Sequence, residues 1–307
     1  MKPRFRFNRV LQEVRRTFPH AKITSHKKLS GGLVSPTYKL RISKPSRILA
    51  VKIYTAKNAV LIRKNNDILT FLRKKHFPVP RIYSDRLFAK NGIVVMDFIQ
   101  GRNAADVYDN GSSRVRRRLL QNAGKLLRKL HCLKIPPVWI HHKHEVRDVT
   151  AWILWTRKRV KKYVAFAKTN LEKKHYHFLS KELATFLRLL QKNIDFVPLH
   201  WDYHLSNLMA APNGRILGLL DFDNAMKGHN LADLGIANYW FQFRYDNYKN
   251  FNHFLDGYGL PDQKERQLIR GYALLHLAAV TRSQWGKKQL QWLIHKHIQM
   301  LDRMMQE

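Results

Sequence analysis

Two aspartates and an asparagine carry the most specific chemical signal in this 307-residue chain. In LHWDYHLSNLM, Asp202 precedes Asn207 by five residues, and Asp221 closes the apolar run RILGLLDF fourteen residues after Asn207. The asparagine amide and the aspartate carboxylates are hard oxygen donors of the kind magnesium takes. Moving a phosphoryl group from a nucleotide to a hydroxyl needs such a cation against the phosphate charge. It also needs a carboxylate that orients the attacking hydroxyl. The pattern assigns the orienting role to Asp202 and the metal-ligand role to Asn207 and Asp221. Asp202 need not be a strong base: a carboxyl of ordinary pKa, about 3.9, suffices where the nucleophile is mainly positioned and loses its proton late.

The elements that must position these residues can be read along the chain. From Ile23 to Leu40, ITSHKKLSGGLVSPTYKL predicts two short strands around a glycine turn, and RILAVKIY predicts a third. Asn58 to Lys75 spaces its apolar residues as a helix that FPVP stops. RIYSDRLF and GIVVMDFI predict two more strands. After QGR the pattern turns helical, over SSRVRRRLLQNAGKLLRKLHCL, Val149–Lys168 and Ser180–Lys192. A polar loop, a turn at Pro212, Asn213 and Gly214 and the strand RILGLLDF interrupt the helices, which then resume to the C-terminus. The expected class is α+β and bilobal, with a small antiparallel-sheet lobe over residues 1–100 and a mostly helical lobe over 101–307.

Composition bounds the setting. The 57 Lys and Arg against 21 Asp and Glu give a formal charge of +36. A field of that size draws polyanions such as RNA or an anionic membrane surface, unless the basicity is general to the proteome. The single cysteine, Cys132, can form no internal disulfide, and MKPRFRFNRV has no apolar signal segment. No apolar run approaches the length that crosses a bilayer. A cytoplasmic protein is expected, with peripheral contact at the inner membrane surface open to it.

The catalytic-loop segment and LGLLDFDNAMKGHNLADLG resemble the aminoglycoside phosphotransferase family, within the protein-kinase-like fold. The resemblance runs from about Leu29 to Gly235 in the family's order. It implies that LSGGLVSPTYKL is the phosphate-covering turn, with Gly31 and Gly32 letting backbone N–H groups approach phosphate and Ser35 donating its hydroxyl. It implies that Lys52 grips the nucleotide phosphates, and that the backbone from Asp97 to Ile99 in the hinge VVMDFIQGR faces the base. Asp233, in LADLG, matches a structural aspartate that supports the loop. ATP or GTP with Mg2+ is the implied donor, and a hydroxyl of a non-protein small molecule or glycolipid the acceptor; no protein partner is implied.

Two positions depart from the family. Trp201 stands before Asp202 where glycine is usual. The first-lobe helix, in the register set by Leu69 and Leu72, offers Asn65 where a glutamate pairs with the strand lysine; Asp67, the nearest carboxylate, lies about 200° round the helix. A catalytically impaired kinase-fold protein that binds nucleotide or a polyanion is therefore the alternative.

The histidines at 141, 142, 144, 175 and 177 read as a basic surface rather than a metal site, since their spacings scatter them over different faces. His131 reads as packed at a helix end, while His204 and His229 stay open between structural and substrate-facing roles. WILWTRKRVKKYVAFAK reads as a helix that buries its aromatics and exposes its cations, with a membrane-surface or nucleic-acid helix as the competing reading.

Overall fold

Alternation of side chains in RILAVKI and IVVMD gives strands with two apolar faces, and a helix covers each. The structure, a computed structural model, describes residues 7–29, 35–54, 59–83, 92–134, 146–191, 194–245 and 249–306. Its elements run α1 (Phe7–Thr17), β1 (Lys22–Lys28), β2 (Thr37–Ser43), β3 (Arg47–Ile53), α2 (Ala59–Lys74), β4 (Ile93–Asp97), β5 (Arg102–Asn103), α3 (Ala104–Asn110) and α4 (Ser113–His131). They continue with α5 (Val149–Asn170), α6 (Lys173–Leu189), β6 (Phe196–Leu199), β7 (Leu208–Ala210), β8 (Ile216–Leu219), β9 (Met226–His229), α7 (Asn230–Tyr245), α8 (Lys249–Tyr258), α9 (Gln263–Gln284) and α10 (Gln291–Gln306). The chain divides into two compact units, one of Met1–Arg102 with Leu217–Asp223, the other of Asn103–Ile216 with Asn224–Glu307.

In the first unit, β1 to β4 form an antiparallel sheet in sequence order. Leu49 and Val51 of β3 and Ile93 and Val95 of β4 pack with Val10 and Val14 of α1. The opposite parity, Ala50, Val94 and Met96, packs with Tyr54 and with Ile62 of α2. Lys52 has the parity of Ala50 and Tyr54, so its stem leaves the sheet on the α2 face. Helix α2 and β4 fall where the apolar spacing predicts them. Helix α1 had no sequence prediction, although Val10 and Val14 at i and i+4 are its signal. Of the strand expected over residues 81–88, only 81–83 are described, and there Ile82 makes a single bridge to Met96. The glycine turn of Gly31 and Gly32 lies outside the described residues.

The second unit is mostly helical. Ser112 caps α4 by accepting from the Val115 N–H, and Asp262 and Glu265 form a reciprocal capping box at the start of α9. Gly124 on α4 and Gly257 on α8 meet the opposing backbone where a β-carbon would sit, so these helices cross in direct backbone contact. Helix α7 is buried along most of its length. Strands β6 and β9 pair antiparallel, with Leu199 opposite Met226. Among the described residues no helix is long and apolar enough to cross a membrane.

Candidate active site

In the first unit one ammonium gathers two carboxylates from far along the chain. Lys52 Nζ donates to Asp221 Oδ1 at 2.9 Å and to Asp223 Oδ2 at 2.8 Å. The Tyr54 hydroxyl donates to Asp223 Oδ1 at 2.8 Å, so both oxygens of Asp223 are engaged. Burial alone would lower the Lys52 pKa, but Asp221 and Asp223 outweigh it and raise it above its ordinary value. Burial, with Asp223 adding to it, pushes Tyr54 well above the phenol range, which keeps it a neutral donor. Asp221 sits in the left-handed region at φ 64°, where the chain turns sharply off β8 and presents its carboxylate to solvent.

Helix α2 contains no glutamate. Asn65 is buried against the sheet with its Oδ1 unbonded, and both polar atoms of the neighbouring Asn66 are likewise buried without partners. The carboxylates that pair with Lys52 are Asp221 and Asp223, from the segment after β8. The same helix buries Lys64, whose pKa falls to about 8 through desolvation, with Asp223 opposing the fall. Asp223 is the partner of Lys52 and Tyr54 that the sequence reading did not single out; its signal is the second acidic residue in DFD.

The other predicted nucleotide residues are spread along this unit. Ser35 is buried just before β2. Asp97 accepts from the Tyr83 hydroxyl at 2.7 Å, and its N–H donates to Arg81 O at 2.9 Å, so side chain and amide are both engaged internally. Ile99 packs on Gly218, occupying the space a β-carbon there would fill.

In the second unit the loop after β6 is held from below. Leu199, Tyr203, Leu205 and Leu208 are buried, which leaves Asp202, His204, Ser206 and Asn207 half exposed between them. Asp233 is fully buried and accepts from the backbone N–H groups of His200 and Trp201, each at 2.8 Å, and contacts His131 Nε2 at 3.2 Å. Asn103 Nδ2 donates to Ser206 O at 2.7 Å and the Tyr203 hydroxyl to Ala123 O at 2.7 Å. Within the loop, Asn207 Nδ2 donates to Asp202 O at 2.9 Å, and His204 Nε2 lies 3.5 Å from Asp202 Oδ1. The Asp202 side chain is 28% exposed, open enough to meet an acceptor hydroxyl. In the turn that follows, Gly214 takes φ 82° as the apolar-strand pattern requires.

Trp201 adopts φ 63°, the left-handed region where glycine is at ease and a bulky residue is strained by about 1–2 kcal/mol. The strain is offset by stacking. Its ring lies 5.7 Å from Trp152 and 5.6 Å from Trp155, and the Arg159 guanidinium sits 5.4 Å above it. Helix α5 accordingly buries Trp152 and half-buries Trp155, Tyr163 and Phe166, with Arg157, Lys158, Lys161, Lys162 and Lys168 exposed, as the core-helix reading expects; Arg159 is the cation that turns inward.

The histidines divide without a metal site. His175 is buried against Asp302 at 2.9 Å, and His229 is buried against the Tyr272 hydroxyl at 3.0 Å, its pKa lowered to about 3 by burial and then by His131. Residues 141, 142 and 144 lie outside the described residues. Among the described residues no three His, Cys, Asp or Glu side chains gather to hold a metal ion. Magnesium needs less, since it keeps waters and takes phosphate oxygens beside one or two protein ligands. The exposed Asp221 carboxylate fits that requirement. So does Asn207, whose nitrogen is spent on Asp202 O and whose amide oxygen is the atom left for a cation.

Comparison with known proteins agrees with these elements. The profile of the phosphotransferase enzyme family matches residues 25–267. No curated protein sequence matches the chain. Among solved structures, the GDP complex of aminoglycoside 2'-phosphotransferase-IIIa superposes with a TM-score of 0.72 at 12% identity, over 97% of this chain and 98% of that one. Macrolide 2'-phosphotransferase type I superposes with a TM-score of 0.67 at 14% identity, over 98% and 99%. The ADP-bound aminoglycoside phosphotransferase APH(2'')-Ib does so with 0.64 at 15%, over 95% and 96%. The solved structures share the kinase-like fold, and the profile covers most of the chain, its catalytic loop included: this protein belongs to the phosphotransferase enzyme family.

Proposed function

We propose that the protein transfers the terminal phosphate of ATP or GTP to a hydroxyl of a small, non-protein acceptor, with Mg2+. The observation that carries the reading is the loop of Asp202, whose backbone is pinned through Asp233 while its carboxylate remains accessible. In this reading the first unit binds the nucleotide: Lys52 grips phosphate oxygens, Asp223 and Tyr54 hold the ammonium in place, and Gly31, Gly32 and Ser35 cover the phosphates. The backbone at Asp97 and Ile99 contacts the base. The second unit supplies Asp202, which orients the acceptor hydroxyl and takes its proton late. Asn207 and Asp221 are the ligands for magnesium, which when bound neutralises phosphate charge.

Nucleotide complexes and small-molecule names among the relatives favour a small acceptor over RNA or a membrane surface. Cysteine usage favours the cytoplasm. The test follows label from terminal-phosphate-labelled ATP and GTP into small-molecule, lipid and RNA fractions of a cell extract, with wild type against Asp202→Asn. Label that enters one fraction only with wild type supports transfer and names the acceptor class. Nucleotide binding without transfer into any fraction supports the impaired binder, for which the unbonded Asn65 in place of a glutamate is the motivating feature.

A further inference from the structure

Arg159 is a half-buried guanidinium without a carboxylate. It lies 4.4 Å over the Trp155 ring, 5.4 Å over Trp201 and 5.6 Å over Tyr163, and among the described residues it makes no ion pair. Burial lowers its pKa, yet a guanidinium stays charged across the physiological range. Removing such a charge from water is costly unless an anion compensates it. Rings satisfy the faces of a guanidinium; the Tyr163 side chain takes one hydrogen bond from its edge, and the remaining N–H groups are left for a partner in the plane.

The neighbouring His276 is half-buried, and its pKa is lowered to about 3 by desolvation first and then by Arg159, so it is a neutral ring. On the His204 side of the loop lies a pocket of about 130 Å³, lined by His204, Trp240, Phe243, Arg244 and Lys296 among others, and no Asp or Glu is in its lining. The indole N–H of Trp240 and the hydroxyl of Tyr245, both at this pocket, are buried donors without acceptors. The pocket beside the loop of Asp202 thus carries Lys296 and two donors, while its Arg244 is paired with Asp109 at 2.7 Å.

We propose that the acceptor is a hydroxyl compound bearing its own anionic group, phosphate or carboxylate, and that Arg159, caged by Trp155, Tyr163 and Trp201, receives that group and sets specificity. This rests on the reading of Asp202 as the residue that orients the acceptor.

The test titrates the full-length protein, saturated with Mg·ADP so that Lys52 is occupied, with sorbitol, gluconate and sorbitol 6-phosphate. Tryptophan emission reports binding at Trp155 and Trp201. The expected result is that the anionic probes bind at least tenfold tighter than sorbitol, that Arg159→Gln removes the preference, and that Arg159→Lys retains part of it. Preference for the phosphate alone assigns a phosphorylated acceptor, and equal binding of both anions assigns either group. Equal binding of all three probes, absence of binding, or a preference that survives Arg159→Gln and disappears in Lys296→Gln would each overturn the assignment. Should Arg159→Gln fail to fold, the wild-type preference and Arg159→Lys still decide. Asp202-dependent phosphate release from ATP, measured on the same samples, separates the two levels: intact release without anion preference sinks this inference alone, whereas lost release sinks the phosphotransfer reading beneath it.

Discussion

Lys52 and Arg159 are both withdrawn from solvent, and the two units compensate them in opposite ways. Lys52 is surrounded by carboxylates at 2.8 and 2.9 Å, whereas Arg159 is surrounded by three aromatic rings. The chemistry of the heads accounts for the difference. An ammonium is a compact, strongly hydrated point charge that needs oxygen ligands when its water is removed, while a planar guanidinium is weakly hydrated and stacks well. The lesson is that a carboxylate cage keeps a cation charged and aimed, whereas an aromatic cage commits only part of its hydrogen-bonding edge, here to Tyr163.

Four substitutions sharpen that contrast. The largest effect is expected from Asp202→Asn, which should cut turnover about a thousandfold while nucleotide affinity stays within about twofold, because the proposed role of Asp202 is to orient the acceptor and not the nucleotide. Transfer rate and equilibrium nucleotide binding, measured separately, check it. Next comes Asp223→Asn, which removes a charge-assisted hydrogen bond from Lys52 and should weaken nucleotide binding about tenfold or more. A variant that shifts only the magnesium concentration for half-activity would make Asp223 a metal ligand instead. Trp201→Gly is a contest between relief of about 1–2 kcal/mol of backbone strain and loss of several ring contacts at about 0.5–1.5 kcal/mol each. The contacts outnumber the strain, so thermal unfolding should show a net loss of about 1–2 kcal/mol. A more stable glycine variant would show that the cage does not support the loop.

The smallest effect concerns pH. His297 is buried between the Tyr239 hydroxyl at 2.8 Å and the Thr281 hydroxyl at 2.9 Å, and burial lowers its pKa to about 4. Its folded pKa lies below the unfolded value of about 6.5, so between these values the unfolded chain binds the extra proton. Stability is therefore present above about 6.5 and lost as pH falls towards 4, at up to about 1.4 kcal/mol per pH unit. His297→Gln should flatten this acid slope, and chemical denaturation at pH 7, 6 and 5 reads it.

Much of the site is legible in the residues themselves because its signals are local. Asp202, Asn207 and Asp221 are separated by short, motif-like intervals, and the apolar periodicity of α2 is strong enough to announce the helix that buries Asn65. What escapes is non-local. One partner of Lys52, Asp223, lies 171 residues away, and its only local signal is the second acidic residue of DFD. A tryptophan gives no hint that it will adopt φ 63°, since the rings and guanidinium that hold it there belong to a helix about forty to fifty residues earlier. Strands β6 and β9, four residues each, are too short for periodicity to announce.

The excursion of Leu217–Asp223 into the first unit has a consequence for dissection of the molecule. A fragment ending at Arg102 carries Lys52 and Tyr54 but neither carboxylate that holds them, so it would bury an ammonium with nothing to compensate it. The first unit is thus not a contiguous gene segment that could be transplanted or expressed alone. Its completion waits until translation has passed residue 223, by which point nearly three-quarters of the 307-residue chain already exists.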